Sequence, residues 1–397
     1  MIQSLSDGNQ PRIPELDGLR GFAILQVISI HYFYNPGANL PAALHFLQSF
    51  YALGWTGVDL FFVLSGFLIG GILLDVRTSS NYFKTFYIRR FFRIVPLYYL
   101  WLLSLVALVH LRGSTFLVQP THPGINWRLL GHFLFLQNLW ANHYSTLAVW
   151  WLGVTWSLAI EEQFYLVAPF VVRFFSTRNL IIFLSFVILA APCLRILVRM
   201  LMDRSVHAMY RLTPFRADAL ALGMLAAIFW RDPEFRAWLD RNKDVLYGAL
   251  GLLLAGMFVL GIWFQSPDRS LTQTLGYSWI ALFYLSLLLI VLTDSAGLIA
   301  RAARIGWLGE WGRISYCIYL IHAAVKYFCT NLMAHNATQI TLWRSEAAIM
   351  LSVVITFGIA KLSWTFFESP LLRQGHRYKY RYEQADSKTD EQRNRAW

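Results

Sequence analysis

Apolar residues in this chain do not alternate with polar ones. They come in long unbroken runs. Runs of bilayer-spanning length, roughly 17–25 residues, fall near 19–35, 55–75, 94–111, 154–173, 180–200, 215–230, 245–264, 275–293, 313–333 and 346–367. Each predicts a helix, because only a helix satisfies its own backbone in hydrocarbon. The segment 127–140 (WRLLGHFLFLQNLW) is too short to span and is predicted as an interfacial or re-entrant helix. The expected fold class is all-α, a polytopic integral membrane bundle of about ten transmembrane helices. An even count puts both termini on one side.

Composition agrees. Of 397 residues, 57% are hydrophobic and 14% charged, and the mean hydropathy is +0.46. A soluble domain carries more charge than this. Sixteen Trp and nineteen Tyr supply the rings that favour membrane interfaces. A net charge of +12 raises the question of nucleic acid, and the placement of the charges answers it. With the N-terminus inside, 22 Lys/Arg fall in inner segments and 8 in outer ones, spread over separate loops. This bias predicts two cytoplasmic termini and no nucleic-acid binding. Cys193, Cys317 and Cys329 lie in apolar stretches, with neither disulfide nor metal spacing. Residues 1–16 are polar and no small-residue cleavage site follows the first apolar run, so no cleavable signal peptide is expected. Residues 1–373 read as one membrane domain. Residues 374–397 read as a polar, mixed-charge cytoplasmic tail, expected to be disordered. The absence of a short internal repeat weighs against a transporter built from inverted halves.

Ionisable residues inside apolar spans are costly, so each is a functional candidate. The first span (LDGLRGFAILQVISIHYFY) carries Arg20 at its inner end and His31 eleven residues on. That separation is a rise of about 16.5 Å and close to three turns, so both side chains share one face. Asp17 stands three residues before Arg20 and can pair with it or cap the helix. The plain alternative is a snorkelling arginine and an interfacial histidine. In GVDLFFVLSGFLIGG, Asp59 is expected at the depth of His31, where a carboxylate could stabilise an imidazolium. Gly66 and Gly70 form a small face for close packing. In YIRRFFRIVPLYY, Arg89 and Arg93 share a helical face beside Arg90. Guanidinium forks suit phosphates, and a positive-inside anchor is the alternative. Glu161 and Glu162 (WSLAIEEQFYL) stand two turns into their helix. A structural ion pair or a neutral carboxyl would also explain them. Arg216 and Asp218 (RADALALGM) sit at the outer mouth of the sixth span, where they could simply pair with each other. His322 is read as a satisfied core histidine, and Glu368 as pairing at a cytoplasmic helix end.

The predicted topology gathers His31, Asp59, Glu161, Glu162, Arg216 and Asp218 in the outer half. It places Arg20, Arg89, Arg90 and Arg93 at the inner face. An anion held inside and proton chemistry near the outside is the implied division of labour, and an extended phosphopantetheine arm is comparable in length to the gap. Proton-coupled transport of a small molecule would use a similar His/Asp/Glu set.

These motifs together resemble the acyltransferase 3 family of integral membrane acyltransferases. LDGLRG, the Arg20–His31 spacing, GVDLFFVLSGFLI, YIRRFFRIVPLYY, WSLAIEEQFYL, RADALALGM, ISYCIYLIH and FFESP carry the resemblance from about residue 12 to 373. It implies ten helices in a bacterial inner membrane. It also implies transfer of an acyl group, often acetyl, from cytoplasmic acyl-CoA to a carbohydrate hydroxyl at the outer face, with no metal. The family's paired Arg and His match Arg20 and His31, and its arginine-rich inner loop matches Arg89, Arg90 and Arg93. Asp59 and Glu161 or Glu162 fall on its other acidic positions. Some members append an esterase-like domain that finishes the transfer; here a two-stage relay would need a separate periplasmic partner. The expected catalytic set is therefore His31, Asp59, Glu161 and Glu162. The expected donor contacts are Arg20, Arg89, Arg90 and Arg93, and the expected acceptor contacts are Arg216, Asp218 and Trp156. His31 would act as general base on the acceptor hydroxyl, with Arg216 or a hydroxyl as oxyanion donor. A transiently acylated His31 is an open alternative, as is a lipid, peptide or antibiotic acceptor.

Overall fold

The computed structural model describes residues 13–35, 45–112, 127–140, 150–201, 206–263, 270–334 and 342–382. Among the described residues every regular element is helical. The helices, in chain order, are α1 (Pro14–Tyr32), α2 (His45–Ala52), α3 (Gly57–Asp75), α4 (Tyr82–Arg112), α5 (Trp127–Phe133), α6 (Trp156–Phe174), α7 (Thr177–Leu201), α8 (Val206–Arg211) and α9 (Ala217–Phe229). They continue as α10 (Pro233–Arg241), α11 (Lys243–Trp263), α12 (Tyr277–Thr293), α13 (Leu298–Ala303), α14 (Gly306–Arg313), α15 (Ser315–Ala334), α16 (Leu342–Ser363) and α17 (Ser369–His376).

In its described residues, each of the ten apolar runs is mainly helical. Five helices among the described residues are long and apolar enough to cross a membrane, and six if the bent pair α10–α11 is one span. The others fall short for physical reasons. α1, α6 and α15 carry charges in their bodies, and α9 has only 13 residues. Those charges belong to the site described below. α7 presents Ile182, Phe186, Leu189 and Leu197 outward, each more than half exposed. An apolar face of this kind belongs against lipid.

The inner layer is α1, α3, α9 and α12, which are buried along most of their length. Glycine lets the first three approach. A Cβ on Gly66 would sit 2.1 Å from the Leu220 carbonyl oxygen of α9, and one on Gly223 would sit 2.1 Å from the Val63 carbonyl of α3. The α3–α9 crossing is thus a backbone-to-backbone contact that no larger residue permits. The C-terminal ends of α3 and α9 are tied by Arg231, which donates to Asp75 Oδ1 at 2.8 Å and to the Gly71 carbonyl at 2.6 Å.

The 127–140 segment is a broken helix. α5 ends in a tight reversal at Phe135, whose φ of 54° is in the left-handed region, a strained conformation for a bulky residue. Neighbours hold it there. Phe135 stacks on Tyr98 with centroids 4.7 Å apart, and its carbonyl accepts a bond of 3.0 Å from Gln163 Nε2 of α6. Tyr98 and Tyr99 of α4 donate to the carbonyls of His132 and Phe133. Side chains of α4 and α6 thereby add to the bonds that the reversal makes within its own backbone, such as Leu136 N to the Gly131 carbonyl at 2.7 Å.

The end of the chain departs from expectation at its near part. Residues 377–382 are laid against the α3–α4 turn, with Ser80 N donating to the Arg381 carbonyl at 2.8 Å. The rest of the tail, 383–397, lies outside the described residues.

Candidate active site

A cavity of about 110 Å³ opens between α1, α3, α4, α6 and α15. Arg20, Arg90 and Arg93 line one end of it, and Ser157 and Tyr319 the other. Along its wall, Glu161 is held by two hydroxyls: Ser65 Oγ donates at 2.8 Å and Tyr165 Oη at 3.2 Å. The Arg90 guanidinium lies over the Tyr165 ring, 5.3 Å from its centroid. Arg20 also reaches Asp17 Oδ1 at 3.4 Å, the pairing expected from their spacing. Three guanidinium groups and a single carboxylate line this space, so its charge favours an anion.

The three arginines of α4 do not act together. Arg90 and Arg93 face the cavity. Arg89 turns away from it, donates from Nε to the Tyr378 carbonyl at 2.9 Å, and stacks over the Tyr380 ring at 4.8 Å. Burial pushes the Tyr380 phenol above its ordinary range despite Arg89 and Arg90, so a neutral ring underlies the cation. The i, i+4 relation of Arg89 and Arg93 placed them on one face; the docked chain end drew Arg89 to itself.

Beyond Tyr319 stands a pair of imidazoles. The His31 and His322 rings meet edge-on at 4.8 Å, and His322 lies 5.9 Å from Tyr319. His31 Nδ1 is 2.8 Å from the Val27 carbonyl, and His322 Nδ1 is 2.8 Å from the Tyr319 carbonyl. A carbonyl only accepts, so each Nδ1 carries the hydrogen and each neutral ring keeps its lone pair on Nε2. The His322 Nε2 is buried without a hydrogen-bond partner among the described residues. Tyr32 Oη donates to the His322 backbone carbonyl at 2.9 Å and meets Thr356 Oγ1 at 2.8 Å, locking α1, α15 and α16 together. The Lys326 ammonium, also on α15, donates to the His31 carbonyl. The sequence pattern reads His322 as a satisfied core histidine, whereas its Nε2 has no partner among the described residues, and Lys326 is not singled out by that pattern at all. The signal was the i, i+4 spacing of two polar residues on one apolar helix.

The outer acidic group is arranged differently from expectation. Asp59 is not brought to His31: its Oδ1 accepts from Arg216 Nη2 at 2.6 Å, with both side chains 1% exposed. Nor does Asp218 pair with Arg216. It takes Arg195 at 3.0 Å and Ser278 at 2.6 Å, again fully enclosed. Two crossed ion pairs therefore join α3 to the start of α9, and α9 to α7 and α12. Arg216 stacks on Tyr277 at 4.1 Å, and Trp156 packs on Tyr210 at 4.6 Å, 7% exposed. These residues knit that end of the bundle. Arg195 went unnoticed in the sequence because it is one of three arginines in a lipid-facing helix, yet it is aimed inward. Glu162 stands apart from Glu161, its Oε1 buried without a partner among the described residues. No cluster of His, Cys, Asp or Glu among the described residues has metal-holding geometry.

Comparison with known proteins places this geometry. Residues 13–362 match the acyltransferase 3 family, described as an acyltransferase domain. The chain is 30% identical over 377 residues to the peptidoglycan O-acetyltransferase OatA of Listeria monocytogenes, covering 91% of this chain and 56% of that protein. It is 25% identical over 375 residues to the O-acetyltransferase OatA of Staphylococcus aureus, covering 91% and 58%. With the Bacillus subtilis protein YrhL, named a putative peptidoglycan O-acetyltransferase, the identity is 29% over 383 residues, covering 92% and 56%. The chain thus spans a little over half the length of these relatives. No solved structure matches. The match of 13–362 takes in both the arginine-walled cavity and the imidazole pair, and the chain belongs to the acyltransferase 3 family.

Proposed function

We propose that this chain transfers an acetyl group from cytoplasmic acyl-CoA to a carbohydrate hydroxyl at the outer face of a bacterial plasma membrane. Peptidoglycan is the favoured acceptor, since the relatives are named for it. In the orientation favoured by the positive-inside bias, ten spans leave both termini in the cytoplasm. The observation that carries the proposal is the two-ended path. Arg20, Arg90 and Arg93 gather at one end of the cavity, and an imidazole pair lies past Tyr319 at the other.

The chemistry follows from the atoms. Arg20, Arg90 and Arg93 hold the anionic donor and aim its thioester along the cavity. An unprotonated imidazole Nε2, on His31 with His322 beside it, takes the proton of the acceptor hydroxyl. That oxygen bonds to the thioester carbonyl carbon, and the oxyanion is received by hydroxyls at the Ser157–Tyr319 end. As the carbon–sulfur bond breaks, the imidazolium returns its proton to the thiolate. The products are the ester and free CoA.

The test uses purified protein in sealed vesicles with radiolabelled acetyl-CoA on the cytoplasmic side and a peptidoglycan fragment on the other. Acetyl ester on the fragment supports the proposal. Acetyl-CoA left intact while a proton gradient drives uptake of a small molecule would refute it in favour of transport.

A further inference from the structure

Residues 377–382 leave α17 as a strap across the start of α4. Arg381 N donates to Asn81 Oδ1 at 2.9 Å, and Asn81 Nδ2 donates to the Lys379 carbonyl at 2.9 Å. Tyr378 is tied through its carbonyl to Arg89, and Tyr380 is buried beneath that guanidinium. The backbone and the inner face of the strap are therefore committed. The outer side chains are not: Lys84, Arg377, Lys379 and Arg381 are all exposed. Between strap and helix lies a cavity of about 500 Å³, lined by these four cations with Asn81, Thr85 and Tyr378. That volume is in the range of small-ligand sites. No carboxylate lines it, and among the described residues none of the four cations is ion-paired.

Four like charges held around one hollow repel one another unless an anion fills it. The Tyr378 ring, 43% exposed, gives the same hollow a flat face. Phosphate-binding cations beside an open aromatic face suit a nucleotide, whose base can stack while its phosphates are held. The location narrows the choice further. Lys84 and Arg93 are nine residues apart on α4, a rise of about 13.5 Å, so this hollow and the arginine end of the membrane cavity are reached from one helix.

We propose that the strap cavity is a nucleotide subsite, which receives the phosphorylated adenosine end of acyl-CoA while the thioester arm runs past Arg90 and Arg93. This rests on the donor being acyl-CoA. An anionic phospholipid headgroup shares the phosphate chemistry but makes no use of Tyr378.

The test is binding of labelled adenosine 3′,5′-bisphosphate to the full chain in nanodiscs of phosphatidylcholine, alone or with phosphatidylglycerol. Wild type should bind it in both. A Lys84→Ala, Lys379→Ala, Arg381→Ala variant should bind about a thousandfold more weakly, at roughly tenfold per charged contact. Tyr378→Leu should weaken the nucleotide about tenfold yet leave inorganic pyrophosphate unchanged, since only the base loses its partner. In turnover, the triple variant should lose its preference for acetyl-CoA over S-acetylpantetheine, which has no nucleotide. Nucleotide binding without any acetyl transfer would support the subsite and sink the functional proposal. Acetyl-CoA turnover with wild-type nucleotide affinity in the triple variant would sink the subsite alone. Nucleotide binding abolished by phosphatidylglycerol would assign the cavity to lipid.

Discussion

The crossed ion pairs give Asp59 a partner other than His31, and a structural role for that pair can be tested. Asp59 Oδ1 and Arg216 Nη2 are 2.6 Å apart with both side chains 1% exposed. At an effective dielectric near 20, unit charges about 4 Å apart interact by about 4 kcal/mol. Removing one partner of such a pair typically costs about 3–5 kcal/mol, because the other charge is left buried and uncompensated. In Asp59→Leu, Arg216 keeps its stacking on Tyr277, worth about 2 kcal/mol when desolvated, but loses its ion-pair partner. Asp218 cannot substitute, since its Oδ2 is engaged by Arg195 and Ser278. Asp59→Leu and Arg216→Met should therefore each destabilise the protein by about 3–5 kcal/mol. The double variant, with neither charge, should recover most of that loss. The assay is the midpoint of denaturation of purified protein in detergent, with all four forms in one double-mutant cycle. If the losses in the double variant simply add, Asp59 and Arg216 are not a structural pair. If the double variant regains stability but no acetyl transfer, Asp59 or Arg216 has a chemical task that the geometry does not disclose.

His31→Ala should abolish transfer with a near-normal denaturation midpoint, whereas moving the ring in His31→Ala, Tyr32→His turns it by about 100° and should not restore activity. Wild-type turnover by the purified His31→Ala protein would exclude it as the base. Arg90→Ala with Arg93→Ala should raise KM for acetyl-CoA at least about tenfold, on the scale of a charged hydrogen bond lost. Lys at both positions should recover only part, since the fork is gone, and Arg89→Ala, outside the cavity, should shift KM less. Gly223→Val should prevent stable insertion, because a Cβ there would lie 2.1 Å from the Val63 carbonyl; normal yield and midpoint would mean that α3 and α9 separate easily. Labelling of single cysteines should mark 270 from outside the cell, while 242 should react only after permeabilisation. The reverse pattern would invert the proposed orientation.

The helices of this protein were legible in the sequence because the membrane imposes a local rule. A backbone in hydrocarbon must satisfy itself within one segment, so each apolar run announces its own helix whatever lies next to it. The Arg20–Asp17 contact was legible for a related reason, since residues three apart on a helix are neighbours. Gly66 was equally readable as a place of close approach. Partner choice between distant segments follows a different physics. Which carboxylate meets which guanidinium depends on the rotation and depth of each helix, and glycine contacts such as Gly66 against Leu220 set both. Tertiary packing gave Asp59 to Arg216 and Asp218 to Arg195, an inward-facing cation that looked like part of a lipid-exposed helix. It also brought His322 from α15 to within 4.8 Å of His31 on α1, a contact across 291 residues that no periodicity encodes. The strap at 377–382 is the same lesson at the surface. Polar composition alone reads as an unstructured tail, but Asn81 and Arg89 supply hydrogen-bond partners that a tail cannot supply for itself.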